Sequence, residues 1–89
     1  KLKFGEVILL ENIRFIEDEF KQDKKNNKII KTLIPLVDFY INDAFSVCHR
    51  NQTSITKIPR YLPHCAGRLL EKELKSLKEI KNQSSLFIL

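Results

Sequence analysis

Phe39-Tyr40-Ile41-Asn42-Asp43 is the stretch on which the fold turns. Its aromatic and β-branched residues favour an extended, half-buried strand, and the chain changes character at Asn42. From Asn42 to Ser54 it is rich in small and polar groups, with Ser46, His49, Arg50, Asn51, Gln52, Thr53 and Ser54, and is too long for a tight turn. Loops of that length in compact domains are often functional. Upstream, Leu36-Val37 leads into the strand through Asp38. Before it, Ile29, Ile30, Leu33 and Ile34 recur at helical spacing, and Pro35 ends the regular helix near Ile34. The polar segment from Glu17 to Asn27 is expected to be a loop running into that helix. Val7-Ile8-Leu9-Leu10, a continuous apolar run preceded by Gly5, fits a central strand buried on both faces of a parallel sheet.

Downstream, Pro59 and Pro63 punctuate the chain ahead of its strongest helical signal: Ala66, Leu69, Leu70, Glu73, Leu74, Leu77 and Ile80, with Glu71 placed to pair with Lys75. Lys81-Asn82-Gln83-Ser84-Ser85 ends this helix, and Leu86-Phe87-Ile88-Leu89 reads as a third strand. The order strand, helix, strand, loop, helix, strand predicts an α/β fold, a partial Rossmann-like three-layer parallel sheet with right-handed crossovers. A closing strand with no loop after it gives the expectation that the chain is a piece of something larger.

At 89 residues, 43% hydrophobic and 30% charged, the composition is that of one small soluble globular domain without a membrane span. Lys1-Leu2-Lys3-Phe4-Gly5-Glu6 lacks the apolar core of a signal peptide and an initiating methionine, so neither secretion nor a complete reading frame is expected. Two cysteines, Cys48 and Cys65, match neither a disulfide framework nor a paired zinc knuckle, and the expected setting is reduced and cytoplasmic. The net charge of +5 raises nucleic acid as a partner, but Lys21, Lys24, Lys25, Lys28 and Lys31 are spread around a polar helix start, as on a solvated face.

Arg14 and Arg50 each lie just past one of the first two predicted strands. If those strands are parallel neighbours, both guanidinium groups emerge at the carboxyl edge of one sheet, where open α/β folds bind ligands. Such a pair makes an anion clamp, because each planar fork matches two phosphate or carboxylate oxygens and keeps its charge. The competing reading of Arg14 is a surface pairing with Glu11 or Glu17. Asp43 is read as a capping or turn residue rather than a base or metal ligand. A zinc site from Cys48-His49 and His64-Cys65 is disfavoured, since adjacent residues rarely point at one tetrahedral ion.

Four stretches in register resemble phosphoglycerate kinase: Leu9-Leu10-Glu11-Asn12-Ile13-Arg14-Phe15, Tyr40-Ile41-Asn42-Asp43-Ala44-Phe45, His49-Arg50, and Ala66-Gly67-Arg68-Leu69-Leu70-Glu71-Lys72-Glu73-Leu74. The last looks closer to archaeal members. The resemblance implies phosphoryl transfer between 1,3-bisphosphoglycerate and ADP, with Arg14 and Arg50 binding the 3-phosphoglycerate side and His49 beside them. It also implies a division of the chain: residues 1–65 in a partial N-terminal substrate-binding lobe, 66–82 an interdomain helix, and 83–89 the start of a nucleotide-binding lobe. Mg-ADP or Mg-ATP would bind outside the chain, and the family's next residues would be a Gly-Gly-x-Lys turn. The partners implied are 3-phosphoglycerate or 1,3-bisphosphoglycerate and the rest of the same polypeptide, in a monomer without nucleic acid or membrane.

Departures from the family pattern fall in the loop. The usual Asp-Ala-Phe-Gly-Thr-Ala-His-Arg-Ala-His-Ser-Ser reads here Asp43-Ala44-Phe45-Ser46-Val47-Cys48-His49-Arg50-Asn51-Gln52-Thr53-Ser54. Gln52 removes a histidine from the basic patch, and Ser46 replaces a glycine able to reach positive φ. No complete catalytic set is expected in the chain and no turnover from it alone. A small basic RNA-binding module and an inactive structural remnant are the alternatives.

Overall fold

The computed structural model describes residues 2–82. Its centre is a two-stranded parallel sheet of β1 (Tyr40–Asn42) and β2 (His64–Ala66), in the register Tyr40 to His64, Ile41 to Cys65 and Asn42 to Ala66. The Tyr40 amide extends the pairing by donating to the Pro63 carbonyl at 3.0 Å. Parallel neighbours require a long crossover. Here it contains a 3-10 turn at Phe45–Val47, a π turn at Thr53–Lys57 and a 3-10 turn at Ile58–Arg60.

Two α-helices accompany the sheet: α1 (Lys28–Leu33) and α2 (Arg68–Lys81). Asn27 starts α1, its Oδ1 accepting from the Ile29 and Ile30 amides at 3.0 and 3.4 Å, which satisfies donors that have no partner inside the first turn. The helix ends as its sequence predicts: Pro35 enters a 3-10 turn at Ile34–Leu36. α2 also follows prediction, beginning at Arg68 after Gly67, with Glu71 and Lys75 at 3.6 Å across one turn.

The parallel α/β class is therefore as expected, with one correction of detail. Val7–Leu10 forms no strand among the described residues, and it is exposed rather than central, with Val7 at 93% and Leu9 at 97%. Burial on both faces needs a layer on each side, and no described element supplies one. β1 takes as its neighbour His64–Ala66, and Ala66, which its spacing places at the start of the second helix, ends β2 instead because it pairs with Asn42. The expected strand Leu86–Leu89 lies outside the described residues.

The interior is mostly polar. Ile29, Ile58 and Leu70 are the buried apolar side chains among the described residues, while Asp18, Glu19, Asn27, Gln52 and Thr53 are buried polar ones. Every buried side-chain donor and acceptor among them has a partner, as burial without large cost demands.

Candidate anion site

Each sequence-predicted site residue sits on a short exposed turn. Asn12 builds the first: its Oδ1 accepts from the Arg14 amide at 3.0 Å and its carbonyl from the Phe15 amide at 3.0 Å, closing the 3-10 turn Ile13–Phe15. An asparagine bends the chain in this way because its side chain mimics a backbone turn. The second turn leaves β1. Asn42 Oδ1 accepts from the Ala44 amide at 3.0 Å, and the Arg50 amide donates to the Val47 carbonyl at 3.0 Å, so that His49 and Arg50 follow the 3-10 turn closely.

A polar knot joins the two turn-bearing segments. Thr53 Oγ1 donates to the Asp18 carbonyl at 2.7 Å and accepts from Asn27 Nδ2 at 2.9 Å. Asn27 Nδ2 also lies 2.8 Å from the Asp18 carbonyl and 3.0 Å from that of Lys21. Next to it, Glu19 Oε1 accepts from the Ser54 amide at 2.6 Å and Oε2 from the Ser54 hydroxyl at 2.5 Å. The segment four residues beyond Arg14 is thus fastened to the segment three residues beyond Arg50. The two arginines themselves occupy separate turns and do not follow neighbouring paired strands, which corrects the clamp geometry expected from sequence.

Glu17, Asp18 and Asp43 are committed elsewhere. Glu17 pairs with Lys21, whose ammonium holds the Glu17 carboxyl below its ordinary range; the glutamate in turn raises the lysine. Asp18 Oδ2 accepts from the Lys28 amide at 2.7 Å and Oδ1 from Lys24 Nζ at 3.1 Å, and these two bonds, the amide first, lower its pKa. Asp43 Oδ1 accepts from the Leu70 amide at 3.0 Å, capping α2 from outside the helix. Among the described residues neither guanidinium group and neither nitrogen of His49 has a hydrogen bond or ion pair, so the surface pairing of Arg14 with Glu11 or Glu17 does not form. What remains is exposed, uncompensated positive charge able to take an anion.

The departures in the loop also find their places. Ser46 lies within the 3-10 turn Phe45–Val47, and no described residue other than glycine has positive φ, so serine meets no conformational barrier there. Gln52 is buried and starts the π turn, its carbonyl accepting from the Ile55 and Thr56 amides. Sequence reading anticipated Asp43 as a cap but missed Glu19 and Thr53. Nothing in hydrophobic periodicity marks a buried carboxylate; the one legible signal was Asn27 just before the helical spacing of Ile29, Ile30 and Leu33.

Two clefts open on the surface of the described residues. One, of about 570 Å³, is lined mainly by apolar residues including Leu10, Ile13, Ile16, Ile29 and Leu36. The other, of about 340 Å³, lies between Phe45 and the Leu69–Leu77 face of α2. Among the described residues no three histidine, cysteine or acidic side chains cluster as a metal would need, and no helix is long and apolar enough to cross a membrane. Cys48 and Cys65 are exposed free thiols.

These features define a parallel α/β chain whose exposed cationic turns lie on segments locked together by buried hydrogen bonds. The family model for phosphoglycerate kinase matches residues 1–89, and the chain belongs to that family. It is 45% identical over 87 residues to the phosphoglycerate kinase of Sulfurisphaera tokodaii, covering 93% of this chain and 21% of that protein. Against the Methanothermus fervidus enzyme it is 48% identical over 83 residues, covering 88% and 20%, and against that of Methanosarcina mazei 42% over 92 residues, covering 96% and 22%. The chain therefore spans about a fifth of the length of these archaeal relatives. No solved structure matches it.

Proposed function

We propose that the chain supplies part of the 3-phosphoglycerate site of a phosphoglycerate kinase, which moves a phosphoryl group between 1,3-bisphosphoglycerate and ADP. The observation that carries this reading is the unpaired, exposed state of Arg14 and Arg50, with Glu17, Asp18, Glu19 and Asp43 engaged elsewhere. Arginine in that state binds the phosphate or carboxylate of a three-carbon acid through paired N–H donors. His49, next to Arg50, adds a further hydrogen-bonding group.

Phosphoryl transfer depends chiefly on alignment and on stabilising charge in the moving group. Arg14 and Arg50 contribute alignment, holding the end of the acid away from the transferring phosphoryl. The Leu70 amide at the α2 N-terminus is already taken by Asp43, which leaves that helix start without this donor for a nucleotide phosphate. Mg-ADP or Mg-ATP belongs, on this reading, to a part of the polypeptide outside the chain. Residues 1–65 would then form part of the substrate lobe, 66–82 the interdomain helix containing α2, and 83–89 the entry to a nucleotide lobe, in a cytoplasmic monomer.

The test is a titration of the 89-residue chain with 3-phosphoglycerate, followed by amide chemical shifts. Shifts at Arg14, His49 and Arg50, lost in the Arg14→Ala and Arg50→Ala variants, are expected, along with no ATP formation from 1,3-bisphosphoglycerate and ADP. Binding that survives the double substitution, or shifts that arise only at the lysines around α1, would sink the assignment.

A further inference from the structure

We propose that Asp43 and Glu19 are positioning residues for the His49–Arg50 turn, Asp43 anchoring the leading end of the loop to the Leu70 N–H of α2 and Glu19 gripping the Ser54 N–H at its trailing end, neither touching the ligand. The proposal rests on the reading of that turn as an anion site. Between β1 and the π turn the loop has little structure of its own: the Val47, Cys48 and Arg50 amides reach the Ala44, Phe45 and Val47 carbonyls at 3.4, 3.1 and 3.0 Å. Isolated 3-10 turns of this kind are weak, and the open cleft between Phe45 and α2 shows that apolar packing there is incomplete. The turn needs fixing from outside.

Both fixings are carboxylates. At the leading end Asp43 Oδ1 accepts from the Leu70 amide, and the Gly67 amide donates to the Asn42 carbonyl at 2.7 Å, so Asn42 and Asp43 are each tied once to the start of α2. At the trailing end Glu19, only 1% exposed, takes both the amide and the hydroxyl of Ser54. Each acid faces N–H donors at the start of a helical turn, where negative charge is favoured. Neither carboxylate pairs with Arg50, and the guanidinium is left for a ligand. The loop is therefore hung between α2 and the Glu17–Phe20 turn, with its cation facing outward.

Hydrogen exchange on the 89-residue chain, read amide by amide together with its affinity for 3-phosphoglycerate, tests this. In Asp43→Ala and Glu19→Ala the Cys48 and Arg50 amides are expected to exchange about tenfold faster, the effect of losing a cap, and 3-phosphoglycerate to bind several-fold more weakly. The Lys31 amide, bonded to Asn27 within α1, reports on global stability and is expected to accelerate less than the loop amides in Asp43→Ala. Asp43→Asn and Glu19→Gln keep an acceptor oxygen and are expected to restore both readings. Unchanged loop exchange in both alanine variants overturns the proposal, as does equal acceleration of the loop and Lys31 amides in Asp43→Ala or an unprotected loop in the parent chain. If the parent chain ignores 3-phosphoglycerate, the anion-site reading falls; if it binds normally in both alanine variants, the positioning role falls instead.

Discussion

Asp18 shows how much one side chain does here: its two oxygens hold the first amide of α1 and the Lys24 ammonium, while its carbonyl receives the Thr53 hydroxyl. Because the folded carboxyl titrates below its ordinary value of 3.8, its stabilising contribution is complete above that value. It is lost as pH falls through the lower, folded value. The melting temperature of the chain is therefore expected to drop as the solution is acidified below about pH 4, and Asp18→Asn to melt lower at neutral pH but with a flatter acid limb. Parallel acid limbs for the two proteins would show that another carboxyl controls the transition. Sequence gave no hint of this role, since a lone aspartate in a charged stretch looks like any solvated residue. Arg14 and Arg50, by contrast, could be singled out beforehand, because the positions of exposed turns after apolar runs are local properties.

The start of α2 is an assembly of two residues. Gly67 has no side chain to cap the helix, and its φ of −74° is open to any residue. What makes glycine necessary is space: a Cβ there would overlap the Cβ, Cγ and Oδ1 of Asp43. Gly67→Ala is expected to push the aspartate off the Leu70 amide and destabilise the chain by about 1 kcal/mol, the usual worth of a cap. In an Asp43→Ala background the same change is expected to cost much less, and a double-mutant cycle from thermal melts measures that coupling. Additive losses would mean that the two residues act independently. Both helices were legible in the sequence, through spacing that repeats over a few residues, and so was β1. The partner of β1 was not, because His64-Cys65-Ala66 has no alternation of its own and becomes a strand by lying along Tyr40–Asn42. Val7–Leu10 failed in the opposite sense: its composition records burial that the described residues do not provide.

At the scale of the molecule, the chain is extended for its size, with a radius of gyration of 16.1 Å against roughly 12 Å for a compact domain of this length. Phe4, Val7, Leu9, Phe15 and Leu36 are each more than 70% exposed, and both strands of the sheet keep a free edge among the described residues. Surfaces of this kind associate. Light scattering is expected to show growth in mass with concentration, reduced when Val7 and Leu9 are both changed to lysine; a parent chain that stays monomeric throughout would contradict this. The polar interior has a further, calorimetric consequence. Hydration of apolar surface raises the heat capacity of an unfolded chain and hydration of polar surface lowers it. With Ile29, Ile58 and Leu70 as the buried apolar side chains and a larger set of buried polar groups around them, the net heat-capacity change on unfolding is expected to be smaller than for an apolar core of the same length. The stability curve of the isolated chain is then a shallow one, responding weakly to cooling and melting over a broad span of temperature.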